Sequence, residues 1–79
     1  MEKASVEKKL LNFFVSREGA EIEGKLREVD LFEAGLLDSL DVIDLAMYLE
    51  IETGTKIDLT SEETFIAMRR YSSILKLIS

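Results

Sequence analysis

Residues 38–54 read Asp38-Ser39-Leu40-Asp41-Val42-Ile43-Asp44-Leu45-Ala46-Met47-Tyr48-Leu49-Glu50-Ile51-Glu52-Thr53-Gly54. Asp38 is a good helix N-cap, because its carboxylate can accept from the unpaired N–H groups of a first turn. Gly54 supplies the left-handed residue that commonly ends a helix, so the stretch predicts a helix running to about Thr53. On a wheel of about 100° per residue, Val42, Leu45, Ala46 and Leu49 gather in one sector, bounded by Thr53. Leu40, Ile43, Met47 and Ile51 gather in a second, roughly opposite sector. Asp44 and Glu50 flank that second group, and Asp41 and Glu52 lie between the two sectors. A helix on the outside of a small bundle buries one stripe. The second stripe is then either core in an unusually enclosed helix or a surface for another protein. Four apolar residues fringed by carboxylates favour the surface, and the flexible thioether of Met47 suits several partners.

Working outward, Val6, Leu10, Phe13 and Phe14, widened by Leu11 and Val15, fall at helical spacing with lysines opposite. They predict a first helix over 3–16, ending before Gly19. Residues 17–38 then form a long loop holding Gly24 and Gly35. Loops of this length in small domains tend to be functional. Its Val29, Leu31, Phe32, Leu36 and Leu37 are expected to pack on the core, with a short helical turn around Leu31–Ala34. Beyond Gly54, Ile57 and Leu59 read as extended connectors. Thr60 with Glu63 forms a capping-box signature for a short helix over 61–65. A last helix over 67–78 places Ala67, Tyr71, Ile74, Leu75 and Ile78 on one stripe. The predicted architecture is one all-α domain over 1–79: a bundle of four helices, three longer and one short, with a long loop between the first two.

Composition narrows the function. The 79 residues contain no cysteine and no histidine, which removes disulfides, thiolate nucleophiles, cysteine–histidine metal sites and the commonest general base. The remaining carboxylates, lysines and tyrosines form no obvious constellation, so the chain is not expected to be an enzyme or to bind a metal. Sixteen acidic residues against ten basic ones leave a net charge of −6. Such a surface repels nucleic acid and attracts basic proteins. No apolar run approaches the roughly 18 residues of a membrane span. The opening Met1-Glu2-Lys3-Ala4-Ser5 lacks the basic-then-apolar order of a signal peptide. The expectation is a cytoplasmic monomer.

The run Asp30-Leu31-Phe32-Glu33-Ala34-Gly35-Leu36-Leu37-Asp38-Ser39-Leu40 resembles the segment that carries the modified serine of acyl and peptidyl carrier proteins. Their signature is Asp-Ser-Leu at the start of the second helix, a few residues after a glycine. Gly35, Asp38, Ser39 and Leu40 match it, and length, acidity and helix order agree across the whole chain. The resemblance implies an acyl-carrier-like bundle with 4'-phosphopantetheine, taken from coenzyme A, attached to Ser39. It implies a phosphopantetheinyl transferase, with Asp38 helping it to bind, and an acyl- or aminoacyl-loading enzyme. It also implies synthase or transferase partners whose basic docking patches meet Asp41, Asp44 and Glu50, with Leu40, Ile43 and Met47 as the apolar part of the contact. A phosphate in the first turn of a helix would meet free backbone N–H groups and the positive end of the helix dipole. The imported thiol would also explain a chain without cysteine.

The chain departs from the carriers of fatty acid synthesis at two positions. Ile51 stands where an acidic residue is common, and Tyr48 is bulkier than usual. Gly35-Leu36-Leu37-Asp38-Ser39 is closer to stand-alone carriers of specialised pathways, including D-alanyl and discrete peptidyl carriers. The cargo therefore remains open between acyl groups of fatty acid, specialised lipid or polyketide synthesis and aminoacyl groups. A rival of another class is an unmodified helical adaptor, whose exposed stripe binds a partner's groove. A calcium-binding reading of the acidic residues fails, since the alternating oxygen ligands with a central glycine are absent.

Overall fold

The structure, a computed structural model, describes residues 3–79. Met1 and Glu2, which enter the reading of the N-terminal segment, lie outside the described residues. Four α-helices form among them: α1 (Lys3–Glu18), α2 (Ser39–Thr53), α3 (Glu62–Ala67) and α4 (Tyr71–Ile78), with a 3₁₀ helix at Ala20–Gly24. There is no strand among the described residues. The radius of gyration is 11.5 Å, close to the roughly 12 Å expected of one packed core of this length.

α2 is the wall on which the other elements close. Its inner residues Val42, Leu45, Ala46 and Leu49 are all buried. They join Val6, Leu10 and Phe14 of α1, Leu31, Leu36 and Leu37 of the long loop, Met68, and Tyr71, Ile74, Leu75 and Ile78 of α4 in a single apolar cluster. α1 runs antiparallel to α2, and its residues at four-residue intervals meet α2 in descending order. The Lys9 ammonium donates to the Glu52 carbonyl at 2.6 Å. The Tyr48 hydroxyl donates to the Lys9 carbonyl at 2.7 Å, while the Tyr48 ring packs on Phe13 with centroids 5.5 Å apart. Arg17 pairs with Asp41. Tyr48 thus ties the two long helices together.

The long loop is ordered by its own chemistry. One Asp30 carboxylate oxygen accepts from the N–H groups of Phe32 and Glu33, at 2.9 and 3.1 Å. The Leu31 carbonyl receives the N–H groups of Leu36 and Leu37. Gly35, at φ 77°, reverses the chain between them, a backbone region that a side chain would strain. The turn expected around Leu31–Ala34 is therefore present, capped at one end by aspartate and closed at the other by glycine.

Three expectations need correction. The bundle has two long helices of 16 and 15 residues and two short ones of 6 and 8, not three long and one short. The N-cap of α3 is Ser61, whose hydroxyl accepts from the Thr64 N–H, not Thr60. The Thr60 N–H and hydroxyl both turn back to the Asp58 carboxylate, and this shifts the helix start by one residue. α4 begins at Tyr71 and not at 67, because the loop reaches in at that point. Asp30 holds Arg69 Nε at 2.9 Å, the Leu31 N–H donates to the Arg69 carbonyl at 2.7 Å, and Arg70 is extended at φ −124°, ψ 134°. Ala67 consequently ends α3.

Burial predicts how the faces of α2 respond to truncation. Leu45→Ala should lower the unfolding free energy by about 2–5 kcal/mol, the usual effect of a core leucine deletion. Met47→Ala on the outer face should stay within about 0.5 kcal/mol of wild type. Urea denaturation of the two variants measures both; equal losses would contradict the assignment of inner and outer faces.

Candidate functional site

Ser39 is the first residue of α2 and is exposed, and its hydroxyl is engaged in no hydrogen bond among the described residues. The residue before it is fixed by a reciprocal cap. The Asp38 carboxylate accepts from the Asp41 N–H at 2.8 Å, and the Asp41 carboxylate accepts from the Asp38 N–H at 3.1 Å. Asp38 itself is extended, at φ −120°, ψ −173°. Buried Leu36 and Leu37 anchor the approach from the loop side. A serine hydroxyl thus stands at the boundary between coil and helix, held from both directions. The first-turn N–H groups of α2 and the positive end of its dipole lie beside it.

The outer stripe is exposed along its whole length: Leu40 at 73%, Ile43 at 47%, Met47 at 56% and Ile51 at 78%. These fractions remove the alternative of a fully enclosed helix. Phe65 and Ile66 of α3 are exposed as well; the sequence reading did not single them out. Their only signal was an apolar pair in a helix whose buried anchor, Met68, comes next but one.

The three carboxylates expected to meet a partner differ in the structure. Asp44 is exposed and forms no hydrogen bond or ion pair among the described residues. Asp41 is half-buried and engaged by both Asp38 and Arg17. Glu50 is also half-buried, and its carboxylate accepts from the Ile57 N–H at 2.7 Å, which folds the chain back after α2. Gly54, left-handed at φ 74°, ends the helix there. Two of the three acids thus have internal roles. The wheel puts Asp41 on the side that α1 covers, a fact the sequence of α2 alone cannot contain.

Arg17 also lies over the Phe13 ring, 5.0 Å from its centroid, so the cation beside the N-terminal turn of α2 is itself positioned. Among the described residues no cluster of His, Cys, Asp or Glu could hold a metal ion, and no helix is long and apolar enough to cross a membrane. Compared with known proteins, the chain matches no protein-family model, no curated protein and no solved structure. The class that fold and site define is a small all-helical bundle presenting an uncommitted hydroxyl at the first residue of a capped helix and, beside it, an exposed apolar stripe.

The clips around the site are pH-sensitive. The hydrogen-bonding guanidinium of Arg17 holds the Asp41 carboxyl below the ordinary carboxylate value, partial burial opposing and the Asp38 N–H assisting. Arg69 does the same for Asp30, against burial and with the Glu33 and Phe32 N–H groups. A depressed folded-state pKa contributes stability that is present above the unfolded value of about 3.9 and is lost as pH falls through the folded one. The melting temperature should therefore drop as pH is lowered below about 4, and the Asp30→Asn, Asp41→Asn double variant should show a shallower acid limb. Circular-dichroism melts across that range test this; parallel acid limbs would contradict it.

Proposed function

We propose that the chain is a carrier protein, loaded at Ser39 with 4'-phosphopantetheine from coenzyme A and bearing its cargo as a thioester on that arm. The observation that supports the reading most is the exposed, uncommitted Ser39 hydroxyl at the first residue of a capped helix, within Gly35-Leu36-Leu37-Asp38-Ser39-Leu40. A transferase needs an accessible hydroxyl, and the phosphodiester it leaves needs donors; free N–H groups at a helix N-terminus supply them. A chain lacking cysteine has no thiol of its own to compete with an imported one, and in this reading it is not an enzyme. The exposed stripe Leu40, Ile43 and Met47, with Asp44 beside it, is the docking face for the transferase, a loading enzyme and a consuming synthase or transferase. The arm would carry acyl intermediates of fatty acid or specialised lipid or polyketide synthesis, or aminoacyl groups in a D-alanyl or peptidyl carrier. Buried contacts carry such docking energy, while rim charges such as Asp44 set the association rate.

One observation favours a second reading. Leu40, Ile43, Met47 and Ile51 form a continuous exposed apolar face that would serve equally in an unmodified adaptor seated in a partner's groove.

Intact-mass analysis after incubation with coenzyme A and a broad-range phosphopantetheinyl transferase separates the two. The wild type should gain the mass of one phosphopantetheine and Ser39→Ala should gain none. An unmodified wild type across several such transferases would overturn the carrier reading in favour of the adaptor.

A further inference from the structure

A cavity of about 430 Å³, outside the stripe of α2, is lined by Ile22, Lys25, Glu28, Val29, Ala34 and Leu36. That volume is in the range of small-molecule sites, about 300–1,000 Å³. Leu36 is buried, Ile22 and Val29 are half-buried, and Lys25, Glu28 and Ala34 are exposed. The groove therefore has an aliphatic floor and a charged rim. Lys25 and Glu28 carry opposite charges on the same groove, yet neither forms an ion pair among the described residues. The rim thus offers a donor-only group and an acceptor-only group, both unsatisfied by the protein.

The groove also lies within reach of Ser39. Leu36 is three residues away, at most about 11 Å along an extended chain. A phosphopantetheine arm of roughly 13 bonds extends about 15 Å at the length per bond of an extended backbone. Its chemistry matches the groove in kind: a geminal dimethyl group for the aliphatic floor, and two amides for the charged rim. Each amide presents one acceptor and one donor, the complement of an ammonium and a carboxylate on one rim.

Resting on the carrier reading, we propose that this groove is the stowage site of the arm on Ser39. The geminal methyls lie on Val29 and Leu36, the Lys25 ammonium donates to an amide carbonyl of the arm, and the Glu28 carboxylate accepts from an amide N–H. None of Leu40, Ile43, Met47 or Ile51 lines the groove. The stowed arm therefore leaves the apolar stripe open, so a partner can dock before the arm is released to it.

The test compares isotope-labelled apo- and holo-protein by NMR, with full modification verified by intact mass. In the holo form, amide shifts should change at Ile22, Lys25, Val29, Ala34 and Leu36 as well as next to Ser39. Nuclear Overhauser contacts should join the arm's geminal methyls to the Val29 and Leu36 methyls. Ala34→Trp fills the groove from an exposed position and should abolish both effects. Lys25→Glu, a surface change that leaves the core intact, should cut the groove-bound population about fivefold, the factor one net hydrogen bond supplies. Shift changes confined to residues 37–42 in fully modified protein would overturn the proposal, as would arm contacts to Ile43 or Met47 or effects that survive in both variants. A chain that gains no mass overturns the carrier reading first, and the groove proposal falls with it.

Discussion

Everything in this molecule follows from the burial of one stripe of α2. Val42, Leu45, Ala46 and Leu49 are removed from water against α1, the loop and α4, and apolar area buried in this way is the main favourable term in folding. A rigid helix has a single rotational phase. Fixing the inner stripe sets the direction of every other residue on α2: Asp41 and Tyr48 turn towards α1, and Leu40, Ile43, Met47 and Ile51 turn to solvent. Ser39 is placed at the mouth of the loop by the same rotation.

The loop is the second determinant, and its order comes from polar groups. Asp30 caps its own turn with one oxygen and clips Arg69 with the other. Arg69 in turn lies over the Phe32 ring, 5.3 Å from the centroid, and Phe32 meets Phe65 edge to face at 6.0 Å. Ordering a long loop costs conformational entropy, which these contacts offset. Here a single carboxylate joins it to the α3–α4 junction and interrupts the C-terminal helical segment in doing so. The site therefore depends on residues distant in sequence from Ser39, because they hold the chain that delivers it.

In the carrier reading proposed above, the chain has to reconcile two demands: a modifiable group within reach of enzymes, and a fold stable without help from that group. In this chain the demands are met by separate parts. The reciprocal Asp38–Asp41 cap and the Arg17 pair belong to stability, while Asp44 and the outer stripe stay exposed and uncommitted. Such a division means that a charge on α2 cannot be assigned to a partner from its sign alone. Half-buried carboxylates with internal donors already have a function within the fold.

Much of this was legible in the residues. Asp38 and Gly54 bounded α2, the two apolar sectors appeared on its wheel, and a helical turn around Leu31–Ala34 was anticipated, because caps, glycines and helical periodicity act over a few residues. The start of α4 was not legible, since a continuous helix over 67–78 is locally reasonable and only the Leu31–Arg69 and Asp30–Arg69 bonds break it. The internal roles of Asp41 and Glu50 were hidden for the same reason. Local sequence determined where helices form and which faces are apolar. Which polar groups the fold takes for itself was decided only when α1, the loop and the 54–57 return came together around α2, because a hydrogen-bond partner 24 or 39 residues away leaves no trace in local periodicity.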